Sequence, residues 1–133
     1  MQGELVIEGR GKSTGLRVIP TEGQGPKVEV SFQTRGKILG QDYSDIGTYW
    51  SVIRPDAFLY GEGQGIATTD QGDTATFVGQ GIGRRRGAAV SWRGTVYYQT
   101  TSKNLSRLNG IAVIFEYDVD AEGNTQIKGW EWK

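Results

Sequence analysis

Neither His nor Cys, the two side chains that most often carry chemistry near neutral pH, occurs in this sequence. Their absence removes the commonest general base and metal ligand, along with thiolate nucleophiles, disulfides and zinc–thiolate sites. No metal site and no cofactor is expected. Acid–base work falls to carboxylates and Tyr, with Lys and Arg beside them. Glu131 is the carboxylate of interest, because strand alternation puts it on the face of Ile127 and Gly129. If that face lines an interior, burial would raise its carboxyl pKa toward a catalytic range. The competing reading is a terminal-strand Glu near an open end, pointing to water. Aromatic side chains are the larger resource. Tyr60, Trp92, Tyr98, Phe115 and Tyr117 fall on candidate inner faces; with Glu131 they form the expected ligand-contacting set, and the alternative for the rings is plain core packing.

Three other stretches imitate functional motifs and fail on context. Asp118 to Asn124 has alternating oxygen ligands and Gly at the sixth position of a calcium loop, but Gly129 stands at the twelfth, where a bidentate Glu is needed. It is read as a hairpin tip. Gly83-Arg84-Arg85-Arg86-Gly87 can offer guanidinium forks to an anion, but one isolated run is better read as a solvated tip that blunts strand pairing. The runs Gly61-Glu62-Gly63-Gln64-Gly65 and Gly79-Gln80-Gly81-Ile82-Gly83 lack the following helix that a dinucleotide fingerprint opens. They are glycine-rich strands.

The elements that must hold these residues are strands. Period-2 alternation recurs along the chain, clearest at Lys27–Gln33, where Val28, Val30 and Phe32 share a face. Further strands are expected at Glu4–Gly9, Leu16–Ile19, Gly36–Gln41, Tyr49–Ile53, Phe58–Thr68, Thr74–Ile82, Ala88–Thr100, Gly110–Asp118 and Thr125–Trp132. One helical turn is expected at Ser102–Leu108, with Leu105 and Leu108 on one face. Asp70-Gln71-Gly72 and Ala121-Glu122-Gly123 each put Gly third in a three-residue hairpin loop, where a left-handed residue is required. The second loop sets Phe115 against Gly129, Glu116 against Lys128, Tyr117 against Ile127 and Ile114 against Trp130. The first sets Gly61 against Gly81 and Gly63 against Gly79. Glycine weakens a strand, so this cluster calls for sharp curvature or ring packing, or else space for a ligand. Trp130 and Trp132 fall on the opposite face from Phe115, which suggests subunit contact or a covering loop there.

These features imply an all-β fold, a single antiparallel β-barrel of up-and-down type with a small central cavity. A lipocalin-like or avidin-like barrel is the alternative. The 133 residues suit one domain, 1–133, with a substantial core. Lys+Arg and Asp+Glu balance at 15 each, so the basic surplus of a nucleic-acid binder is missing. The start, Met1 to Leu5, lacks a basic and apolar leader, and no stretch is long enough to span a bilayer. The expected setting is the cytoplasm, with no membrane or nucleic-acid partner and a possible homo-oligomer.

The pattern of Gly61-x-Gly63, Gly79-x-Gly81 and Arg93-Gly94 leading to Tyr98-Gln99-Thr100 resembles small uncharacterised bacterial proteins with the allene-oxide-cyclase-like barrel. The resemblance covers about the C-terminal two thirds. It implies an antiparallel barrel with a central apolar cavity, often self-associating. The plant cyclase is a cofactor-free isomerase, but its catalytic positions have no residue-by-residue match here. Three functions follow as expectations: a barrel binding a small apolar or lipid-like molecule, a cofactor-independent isomerase or cyclase, and a structural protein assembling through its outer aromatic face.

Overall fold

A computed structural model of the chain describes residues 2–20 and 25–133; Met1 of the expected leaderless start lies outside them. Strands β1 (Gln2–Ile19), β2 (Lys27–Ile38), β3 (Gln41–Ile53) and β4 (Leu59–Thr69) are followed by β5 (Thr74–Arg86), β6 (Ala89–Gln99), β7 (Val113–Val119) and β8 (Asn124–Trp132). Each pairs antiparallel with the next, and β8 returns to β1, closing an up-and-down barrel. A 3-10 helix, Lys103–Gly110, joins β6 to β7. No helix among the described residues is long and apolar enough to cross a membrane.

Both three-residue loops form as expected. Gly72 and Gly123 have φ of +89° and +85°, and the main chain closes between Thr69 and Asp73 and between Asp120 and Asn124. Their registers hold along the strands: Gly61 faces Gly81 and Gly63 faces Gly79, while Phe115 faces Gly129 and Glu116 faces Lys128. The space over Gly129 is filled by methyl groups of Ile7 and Val113.

The N-terminal half departs from expectation in three places. Glu4–Gly9 and Leu16–Ile19 belong to one strand, kept continuous across a bulge between Ser13 and Gly15. Gly36–Gln41 is not one strand: Gly36–Ile38 ends β2 and Gln41 opens β3, because Leu39 (φ 48°) and Gly40 (φ 77°) reverse the chain in a two-residue turn. That pair of positive φ values matches the right-handed twist of the flanking strands. A left-handed Leu is costly, and Leu39 compensates by packing against the buried core. Strand β3 begins immediately afterwards and is eight residues longer at its start than Tyr49–Ile53. Its inward positions there are Tyr43, Asp45 and Gly47, so no apolar alternation advertised it.

The two ends of the barrel differ. At one, the 3-10 helix drives Leu105 and Leu108 (each 0% exposed) into a cluster with Val6, Ile38, Tyr43 and Tyr98. Asp73 ties this plug down, accepting hydrogen bonds from Ser102 Oγ (2.8 Å) and Asn104 Nδ2 (3.0 Å). Asn109 pairs with the Thr100 main chain through both its amide atoms. At the other end, β8 accompanies β1 only as far as Lys12. Ser13 still donates its main-chain N–H to the Gly123 carbonyl (2.8 Å), but Gly15–Ile19 pairs with β2 alone and stands beyond the rim, with Leu16 and Val18 exposed.

Candidate functional site

Inside the wall, the core splits into two apolar clusters. One surrounds the plug; the other, toward the opposite end, is built on Leu59, Trp92 and Tyr117 with Tyr49, Phe115 and Ile127 against it. Between them lies a cavity of about 100 Å³. Seven rings contribute to its lining, those of Phe32, Tyr49, Phe77, Trp92, Tyr98, Phe115 and Tyr117. Phe32 lies 6.0 Å from Tyr49, 6.5 Å from Phe77 and 6.0 Å from Tyr117, centroid to centroid. Tyr49 meets Trp92 edge-on at 5.6 Å, and Phe77 meets Tyr98 at 5.6 Å. Offset and edge-on contacts of this kind are the favourable arrangements for aromatic pairs.

The opposite wall is main chain. Residues 61–64 of β4 and 79–81 of β5 border the cavity, and alternation sends the side chains of Glu62, Gln64 and Gln80 outward. The glycines make room for the rings. A Cβ at Gly61 would stand 2.9 Å from Cη2 of Trp92, one at Gly83 3.1 Å from the same indole, and one at Gly81 3.5 Å from Phe115. A Cβ at Gly47 or Gly65 would overlap Phe32 or Phe77 respectively. Ring packing thus accounts for much of the glycine face, and the cavity is the space the rings leave.

Asp45 is the charged group of this interior. It lies on β3 between Thr34 of β2 and Ala67 of β4, lines the cavity, and is only 7% exposed. Burial pushes its carboxyl up to about 6, although the nearby Thr34 and Tyr43 hydroxyls pull the other way. That opposition is partial: neither Asp45 Oδ1 nor the Tyr43 hydroxyl completes a hydrogen bond of ordinary geometry. Trp92 Nε1, the Tyr117 hydroxyl and Thr125 Oγ1 are buried without a partner as well. Tyr49 lies close enough to Trp92, and Thr125 to Tyr117, for each to affect the phenol's ionisation, short of well-formed bonds. Burial lifts the phenol of Tyr49 to about 12 and raises those of Tyr43, Tyr98 and Tyr117 further. These tyrosines stay neutral and act as hydrogen-bonding groups rather than bases. Asp45 alone in this set changes charge near physiological pH.

Of the six residues expected from sequence, Trp92, Tyr98, Phe115 and Tyr117 line the cavity together. Tyr60 does not, because it occupies an outward position on β4, with its hydroxyl donating to Glu62 (2.6 Å) and its ring against Trp50. Glu131 faces inward but sits at the plugged end, where it accepts a 2.6 Å hydrogen bond from Arg107 Nη2, which also reaches Glu4 at 3.3 Å. It fastens the helix to β8 and takes no part in the cavity lining. Asp45, Phe32, Tyr49 and Phe77 escaped notice. A usable signal existed for the first three: carrying the face of Val28, Val30 and Phe32 through a Leu39-Gly40 turn sets Phe32 against Gly47 and Thr34 against Asp45. The three arginines belong to the end of β5, with Arg84 stacked over Phe58 at 5.4 Å. The Asp118–Asn124 stretch is a hairpin tip whose Asp120 carboxylate accepts from the Glu122 and Asn124 amides.

No family model and no curated protein matches this sequence. The fold itself has solved counterparts. A conserved protein of unknown function from Rhodopseudomonas palustris superposes with a TM-score of 0.80 at 14% identity, over 96% of this chain and 95% of its own. A protein of unknown function from Clostridium acetobutylicum gives 0.83 at 13% identity, over 96% of each chain. A beta-barrel like protein from Acinetobacter baumannii gives 0.80 at 12% identity, over 98% of this chain and 94% of its own. At such identities the likeness is one of fold.

Proposed function

We propose that this barrel binds a small, largely apolar molecule in its lumen. The observation that carries the reading is the cavity itself: a gap between rings and bare backbone, bordered by buried polar atoms that lack partners. Native interiors are close-packed and satisfy their buried polar groups, so the combination suits a guest with an apolar body and a polar point. Its size sets the class. About 100 Å³ is below the range of roughly 300–1,000 Å³ for drug-sized ligands and nearer the ~150 Å³ engineered cavity that admits benzene. A single ring or a short branched chain fits this space, and a lipid would need to leave most of its tail outside. Kinship with the allene-oxide-cyclase-like barrels and a cytoplasmic setting belong to the same proposal, supported by the glycine–aromatic pattern and the absence of Cys.

Toluene, phenol and cyclohexanone, tested by thermal unfolding and native mass spectrometry, examine this directly. A ligand at a hundred times its Kd stabilises by about 2.7 kcal/mol, a shift easily read. No shift with any of them, and only bare protein on purification from its host, would refute the proposal.

Two observations favour other readings. Asp45 offers a proton-transfer group beside the cavity, which supports a cofactor-independent isomerase or cyclase. On the outside, Ile46 faces Ile66, Val78 faces Tyr97, and Trp130 lies between Ile114 and Leu5. Ile46, Ile66, Val78 and Tyr97 are exposed, which supports assembly through that apolar stripe.

A further inference from the structure

The lumen joins a buried carboxylate to a surround of rings with no Lys or Arg among the described residues that line it. Asp45 Oδ1 is buried there without a hydrogen bond. Its polar neighbours, the Thr34, Tyr43, Tyr98 and Tyr117 hydroxyls, carry no positive charge. A buried ion without a counter-charge is strongly unfavourable, whereas the faces of Phe, Tyr and Trp attract cations. Carboxylate and rings therefore favour the same kind of guest.

We propose that the ligand is a small organic ammonium ion whose nitrogen rests on Asp45 Oδ1 and whose apolar body packs among Phe32, Tyr49, Phe77 and Trp92. This rests on the lumen-binding reading and adds the charge of the guest. A primary ammonium has three donors, enough for Oδ1 and for the unpartnered Tyr43 or Tyr117 hydroxyl. Its body is limited to about one six-membered ring by the cavity. An anionic guest of the same size would meet the Asp45 charge with nothing to offset it.

The test compares benzylammonium, benzyl alcohol and toluene at pH 7.5, on wild-type protein and Asp45→Asn, following binding through the Trp92 indole N–H resonance. Charge-assisted hydrogen bonding predicts that benzylammonium binds wild type about ten- to a hundredfold tighter than benzyl alcohol. Asp45→Asn should lose that advantage while keeping its affinity for toluene. Equal or tighter binding of the alcohol to wild type would overturn the ammonium proposal, and so would undiminished ammonium affinity in Asp45→Asn. In either case toluene binding would leave the lumen reading standing. If none of the three binds wild type, both readings fall. The wild-type comparison decides the matter even where the variant does not fold.

Discussion

Replacing Asp45 by Asn should make the protein more stable at neutral pH, by an amount that depends on pH in a defined way. The carboxyl is held near 6 in the fold against an ordinary 3.8, because burial penalises its charged form. Well below pH 3.8 the group is protonated in both folded and unfolded chains and costs nothing. Between about 4 and 6 the native state binds more protons than the unfolded one, so stability falls as pH rises. Above 6 the whole penalty applies. At ~1.4 kcal/mol for each pH unit, the difference between 3.8 and about 6 comes to about 3 kcal/mol. Asn keeps the shape and the Oδ1 acceptor but removes the charge. Urea unfolding of ligand-free protein at pH 3, 5, 6 and 7.5, analysed by linear extrapolation, should give near-equal stabilities at pH 3. At pH 7.5 the variant should lead by up to about 3 kcal/mol. A difference that does not vary with pH, or an Asn variant less stable at pH 7.5, would refute the reasoning. A residue that lowers stability where the protein works is a mark of a functional position.

Other substitutions test the rest of the architecture. Gly65→Ala should destabilise by roughly 1–3 kcal/mol in urea, since its methyl meets the Phe77 ring and the Ile46 carbonyl oxygen (2.6 Å). Leu105→Ala should cost about 2–5 kcal/mol because the side chain is fully buried in the plug; Arg107→Ala, which removes a half-exposed guanidinium from Glu4 and the less exposed Glu131, should cost about 1 kcal/mol. Tyr60→Phe should leave toluene affinity unchanged by titration, because that ring stands on the outer face against Trp50. If the outer stripe assembles copies of the chain, Val78→Lys should convert the assembly to monomer in light scattering behind a sizing column, with toluene binding retained.

Local chemistry made the C-terminal half legible. Each three-residue loop announced itself by its Gly, and once a loop was fixed, strand pairing propagated the register out to Gly61–Gly81 and Glu116–Lys128. Leu105 and Leu108 were readable as one face of a helical turn, and they became the plug. The N-terminal half hid its geometry because two signals were inverted. Leu39 takes a conformation usually given to Gly or Asn, and the inner positions of early β3 carry Tyr43, Asp45 and Gly47 instead of a run of aliphatics. The polar anchor of the cavity was hidden with that strand. Glu131 drew attention by parity alone: it does face inward, but parity says nothing about height along the barrel, and height places it beside Arg107 rather than the cavity. Tyr60 erred the other way, by one residue of alternation beside inward-facing Gly61.

A crystal structure of the protein soaked with benzylammonium would test the account most directly. The prediction is a guest inside the barrel, its ring among Phe32, Tyr49 and Trp92 and its nitrogen at hydrogen-bonding distance, about 2.7–3.0 Å, from Asp45 Oδ1. A lumen closed by its own rings, with the amine found only on the surface or nowhere, would contradict it.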